Sequence, residues 1–206
     1  MSAARILLSA ARMTDVPPPP IDLPPPVPRP VVRVVLLGYM TAGKSTVGQA
    51  LARRLEWRFL DFDVEIEARD GRSIGDLVLE EGQSRLRELE AELTEEVAHA
   101  EGVVLAPGGG WITRPELLRG LGPGTLAVWL KVSPEETARR LNADTIDRPF
   151  RGMDDAVPRI ARMLAEREDL YRLADLSIPT DGRSTESIAY EIETIVRKYE
   201  STRVRE

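Results

Sequence analysis

The segment "VVRVVLLGYMTAGKSTVGQALARRL", residues 31–55, constrains the fold more than any other part of the chain. Its first seven residues are apolar except for Arg33, the pattern of a strand buried on both faces. Gly38, Gly43, Lys44 and Ser45 then satisfy G-x-x-x-x-G-K-[ST], and Val47, Leu51 and Leu55 recur at intervals of four, the spacing of a helix stripe. A strand that delivers a glycine turn to a helix N-terminus aims several backbone N–H groups at one spot, where an anion is stabilised. Lys44 adds a cation for the terminal phosphates and Ser45 a hydroxyl for Mg²⁺. The spacing therefore predicts a bound nucleoside triphosphate with Mg²⁺ and leaves the acceptor open.

Beyond this segment, "WRFLDFD", "GVVLAPGGG", "TLAVWLKV" and "ADLSIPT" each precede a stretch of helical period. Leu86, Leu89, Leu93 and Val97 mark one such stripe, expected to face the sheet together with Val47, Leu51 and Leu55. This alternation predicts an α/β fold, a parallel sheet wrapped by helices. With 206 residues, 42% hydrophobic and 30% charged, the chain suits one soluble domain. Residues 1–30 stand apart, because nine of the sixteen prolines fall between Pro17 and Pro30. That composition favours extended polyproline conformations and is read as a disordered extension preceding a domain at 31–199 and a tail at 200–206. The arginines and missing acids of "MSAARILLSAARM" imitate a transit peptide only faintly, and Met13 is an alternative start.

Charge and rare residues exclude several classes. A balance of 28 basic against 34 acidic residues gives no broad electropositive surface for nucleic acid or anionic membrane. No apolar run approaches the roughly 20 residues that span a bilayer. The absence of cysteine removes disulfides and thiolate metal sites and suits a cytoplasmic protein. A single histidine, His99, leaves no His-based triad or metal cluster.

Candidate chemistry clusters around "FLDFD", where strand alternation places Asp61 and Asp63 on one side and Leu60 and Phe62 on the other. One carboxylate would support a metal and the other accept a hydroxyl proton, although acidic caps at a helix start would read the same way. Gly108, Gly109 and Gly110 follow a buried strand and allow close backbone approach to an anion or hydroxylated ligand. Arg87 lies three residues before Glu90, close enough on a helix to be held by it. Arg167 interrupts the apolar stripe Ile160, Leu164, Tyr171 and reads as a snorkelling side chain or as a planar fork for a carboxylate. Arg148, in the polar loop "NADTIDRPFRG", suits a mobile lid that brings charge to a transferred phosphate.

In order along the chain, "GYMTAGKST", "FLDFD", "GRSIGDL", "RELE", "APGGG", "DRPF" and "EREDLY" resemble the conserved elements of shikimate kinases, small P-loop kinases with an adenylate-kinase-like fold. The resemblance spans about Val31 to Arg197. It implies a three-layer fold with a five-stranded parallel sheet in the order 2-3-1-4-5 and a mobile lid. It also implies ATP-dependent phosphorylation of the 3-hydroxyl of shikimate by a cytoplasmic monomer. Thr41, Ala42, Gly43, Lys44, Ser45 and Thr46 would line the ATP phosphates, Arg140 and Arg183 the adenine side, and Arg148 would reach over from the lid. Ser45, with Asp61 acting through water, would serve Mg²⁺. Asp63 would be the base, and Arg87, Arg167 and the Gly108–Gly110 turn would bind shikimate, the arginines at its carboxylate. Lys44, Asp63 and Arg148 are thus the expected catalytic groups.

Several departures accompany the match, among them Glu168-Asp169 where x-Pro frequently precedes Leu-Tyr. Thr41 stands where glycine is frequent and is expected to be a tolerated variant. Val78 and Leu86 stand where aromatics line the pocket, and Trp111 where a small residue is usual, implying a reshaped acceptor site. Rival readings are a kinase for gluconate or a nucleoside, and a non-catalytic nucleotide switch whose proline-rich arm recruits a partner.

Overall fold

The structure, a computed structural model, describes residues 30–143 and 150–201. The proline-rich extension, Arg148 with its neighbours, and the end of the tail lie outside the described residues.

The elements run β1 (Arg33–Leu37), α1 (Lys44–Leu55), β2 (Arg58–Asp61), α2 (Phe62–Asp70), α3 (Ile74–Val97), β3 (Val103–Ala106), α4 (Pro115–Gly120), β4 (Thr125–Lys131), α5 (Pro134–Ala143), α6 (Ala156–Tyr171), β5 (Leu176–Pro179) and α7 (Thr185–Ser201). The five strands form one sheet in the order β2-β3-β1-β4-β5, parallel at every pairing. This is the order that the sequence resemblance implies.

Alternation along β1 assigns the two faces of the sheet. Val34 and Leu36 join Val128, Leu130 and Ile178 beneath α1 and α7, where Val47, Leu51 and Leu55 pack as expected. Val35 and Leu37 join Leu105 and Ala127 on the other face, covered by Leu86, Leu93 and Val97 of α3 and by residues of α2 and α4. Complete burial of one such aliphatic side chain stabilises by about 1.5–3 kcal/mol. A smaller third cluster joins Tyr39 of the glycine loop to α5 and α6 through Ala138, Leu141, Ala156 and Ile160.

Arg33 is the polar exception on β1, only 2% exposed. Its guanidinium donates to the carbonyls of Val97 and Ala98 at the end of α3, to that of Leu121 after α4, and to the Thr125 hydroxyl. The last carbonyls of a helix have no partner within it and carry partial negative charge, so two helix ends satisfy this buried cation.

The strand expected through Asp63 ends at Asp61. Asp61 has extended dihedrals (φ −93°, ψ 121°), and its Oδ1 accepts the Asp63 N–H at 3.1 Å, so Phe62 and Asp63 already belong to α2. An aspartate capping a helix here overrides the apolar-polar alternation. The second difference is in α3, two helical pieces meeting at a kink at Gly82 (φ 84°, ψ 168°).

Candidate active site

Because β1 lies between β3 and β4, its carboxyl end opens at the middle of the sheet, the usual ligand position in open parallel folds. The loop that leaves it requires its glycines. A Cβ on Gly38 would stand 2.8 Å from the Leu130 carbonyl oxygen, and Gly43 (φ 95°) turns the chain into α1. Thr41 occupies the left-handed region as well (φ 58°), and its Oγ1 is buried without a hydrogen-bond partner. A β-branched residue in that region is strained, which explains why glycine suits this position. Lys44 Nζ donates to the Gly38 carbonyl at 2.9 Å and the Tyr39 carbonyl at 3.2 Å, bracing the loop from within. The Thr46 hydroxyl donates to the Gly43 carbonyl.

Residues 41–46 line a cleft of about 710 Å³ together with Asp61, Asp63, Gly109, Arg140 and Arg183. Ser45 Oγ donates to Asp61 Oδ2 at 2.5 Å. Asp61 therefore serves two partners, one oxygen capping α2 and the other beside Ser45. On the opposite wall, Arg140 donates to the Thr41 carbonyl at 2.9 Å and the Thr180 carbonyl at 3.0 Å, clamping the glycine loop to the turn after β5. Arg183 is tied to Glu191 at 2.6 Å.

Two of the three glycines are explained by what stands against them. A Cβ on Gly108 would lie 2.7 Å from Glu90 Oε1 and 3.1 Å from Asp63 Oδ1, and one on Gly110 only 2.0 Å from Arg87 Nη2. A Cβ on Gly109 would approach the Gly38 carbonyl oxygen and the Met40 nitrogen at 3.4 Å each, so this turn packs against the glycine loop. From α6, Arg167 Nη1 and the Tyr171 hydroxyl both donate to the Gly109 carbonyl, at 3.3 and 3.1 Å. The turn thus gathers Asp63, Arg87 and Arg167, although the arginines are not part of the cleft lining. Arg148 lies outside the described residues.

The expected hold of Glu90 on Arg87 is present as an ion pair with Nη1. Glu90 is completely buried and its second oxygen has no hydrogen-bond partner. Burial raises its pKa, opposed mainly by the Arg87 guanidinium. Burial likewise pushes the Tyr171 phenol up to about 12, so it donates to Gly109 across the whole working pH range. Glu136 moves the other way: hydrogen bonds from Arg139, then Arg140, hold it near 2 despite some desolvation.

Trp111 lies in the core beside the glycine turn. It is fully buried against α3, and its indole N–H donates to Thr94 Oγ1 at 2.9 Å, which in turn donates to the Glu90 carbonyl. Val78 and Leu86 pack into the same core cluster. Sequence reasoning missed Tyr39, Glu136, Arg139 and Thr180. The i, i+3 and i, i+4 spacing of Glu136 to the two arginines was a readable signal. No signal marked Thr180.

Comparison with known proteins agrees with this geometry. The shikimate kinase family model matches residues 40–197. The chain belongs to the shikimate kinase family. The shikimate kinase of Geobacter metallireducens is 41% identical over 168 residues, covering 80% of this chain and 92% of that protein. Among solved structures, the family member from Acinetobacter baumannii in complex with shikimate superposes with a TM-score of 0.74 at 30% identity, covering 82% of this chain and 94% of the other. A gluconokinase from Sinorhizobium meliloti shares only the fold, at 19% identity and a TM-score of 0.56 over 86% of this chain and 98% of that one. Among the described residues no helix is long and apolar enough to cross a membrane.

Proposed function

We propose that this protein transfers the γ-phosphoryl group of ATP to the 3-hydroxyl of shikimate, acting as a cytoplasmic monomer. The observation that carries the reading is the Gly108–Gly110 turn, packed against the glycine loop at Gly109 while meeting Asp63, Arg87 and Arg167. An acceptor seated there would place its hydroxyl toward Asp63 and its carboxylate toward the two guanidiniums, beside the phosphates.

The donor set fits Mg²⁺. Ser45 and Asp61 offer adjacent oxygens, and no cluster of three or more metal-binding side chains exists among the described residues. A small hard cation held by one carboxylate and one hydroxyl completes its shell with phosphate oxygens and water. When bound, Mg²⁺ would neutralise charge on the triphosphate.

The chain's own groups divide the remaining work. The backbone N–H groups of the glycine loop and the start of α1 bind the phosphates, and Lys44 exchanges its loop carbonyls for them. Asp63 orients the acceptor hydroxyl and takes its proton as the oxygen attacks phosphorus, while Lys44 and Arg148 balance charge on the transferred group. Arg140 and Arg183 shape the adenine side.

Coupled measurement of ADP release with shikimate, quinate and gluconate tests the substrate: turnover with shikimate is expected, and turnover with another acceptor alone would refute it. Asp63→Asn should lower kcat by roughly 10²–10⁴-fold while leaving ATP binding unchanged.

A further inference from the structure

The glycine-loop motif leaves the residue after its first glycine unspecified, yet Tyr39 at that position is only 1% exposed. Three of its groups touch three different parts of the site. The ring faces Arg167, whose Cζ stands 5.8 Å from the ring centroid. The hydroxyl donates to Met163 Sδ at 3.2 Å, one helical turn before Arg167 on α6. The carbonyl accepts from Lys44 Nζ.

The two expected carboxylate anchors are therefore held in opposite ways. Arg87 is fixed by the buried Glu90 carboxylate, which balances much of its charge. Arg167 has no carboxylate partner among the described residues; the Tyr39 ring face, the Gly109 carbonyl and the Tyr171 hydroxyl surround it. A guanidinium carries five N–H donors in one plane, so a π face can fix that plane while leaving donors and charge for a ligand.

We propose that Tyr39 is a positioning residue that seats Arg167 and so ties the acceptor's carboxylate anchor to the phosphate loop. This inference rests on the reading of Arg167 as an anchor for the shikimate carboxylate.

Steady-state kinetics with shikimate and ATP tests it on Tyr39→Leu, Tyr39→Phe, Arg167→Lys and the double variant Tyr39→Leu/Arg167→Lys. Tyr39→Leu should raise the KM for shikimate about fivefold, the scale of a partly desolvated cation–π contact, with kcat and the KM for ATP within about twofold of the parent. Tyr39→Phe keeps the ring and should restore the parent values. The double variant should bind shikimate no worse than Arg167→Lys alone, because the two residues act as one unit. Should thermal unfolding show that the Leu variant does not fold, Tyr39→Met takes its place with the same expectation.

An unchanged shikimate KM in Tyr39→Leu, alongside a raised one in Arg167→Lys, would overturn the role of Tyr39 and leave the anchor reading intact. So would an equal loss in Tyr39→Phe, or a joint change in both KM values and kcat, which signals a damaged loop. An unchanged KM in Arg167→Lys would overturn both.

Discussion

Thr41 combines a left-handed backbone (φ 58°) with a buried hydroxyl that finds no partner, two costs concentrated in one residue. The left-handed conformation costs a branched L-residue roughly 1–2 kcal/mol, part of which glycine gives back as chain entropy in the unfolded state. Thr41→Gly should therefore stabilise by about 1 kcal/mol and raise the thermal midpoint by about 2–4 °C, read from a melting curve. Sequence reading found the variant position but not its strain, because the dihedral is set by Gly38, Gly43 and the clamp from Arg140 rather than by Thr41 itself. Glu90 offers a test of opposite kind. Its native pKa is raised above 4.5, so the proton it binds favours the folded state, an advantage present below pH 4.5 and lost as pH rises through the raised value. Gln resembles the protonated acid, so Glu90→Gln should match the parent in stability at low pH and exceed it near neutrality, as urea unfolding at several pH values would show. The same change should weaken shikimate binding, since Arg87 loses the carboxylate that holds it.

Among the elements, the junction of β2 and α2 shows how much a pattern can carry. The alternation of "FLDFD" correctly brought Asp61 and Asp63 to the sheet's carboxyl edge, but for a different reason, since one caps the helix that carries the other. Capping and metal support were alternatives on paper, yet Asp61 has an oxygen for each: Oδ1 caps α2, and Oδ2, beside Ser45, is the one the proposed mechanism turns to Mg²⁺. They are separable by mutation. Asparagine remains a good cap, so Asp61→Asn should keep the thermal midpoint while raising the Mg²⁺ concentration needed for activity. Asp61→Ala should lose both functions, with about 1 kcal/mol less stability. The helix stripes of α1 and α3 were legible because burial imposes them. The kink at Gly82 was not, since a glycine within a helical pattern signals a break only once its dihedrals are known.

For the molecule as a whole, strand order followed from the family resemblance, as periodicity alone distinguishes no order among buried parallel strands. Among the described residues the core clusters begin at Val31, and the composition of the preceding segment offers little apolar area to bury. Deleting residues 1–30 should accordingly leave the thermal midpoint and kcat/KM for shikimate unchanged, a comparison that melting curves and the coupled assay would make directly. The Gly108–Gly110 turn carries a further consequence. At two of its three positions the space beside the backbone is already taken by side chains from α2 and α3. Gly110→Ala would therefore evict the Arg87 guanidinium without altering a single charge, an uncharged change with the outcome of deleting an arginine. A side chain added at Gly108 or Gly110 is thus felt first on α2 and α3, so the turn and the acceptor anchors change together.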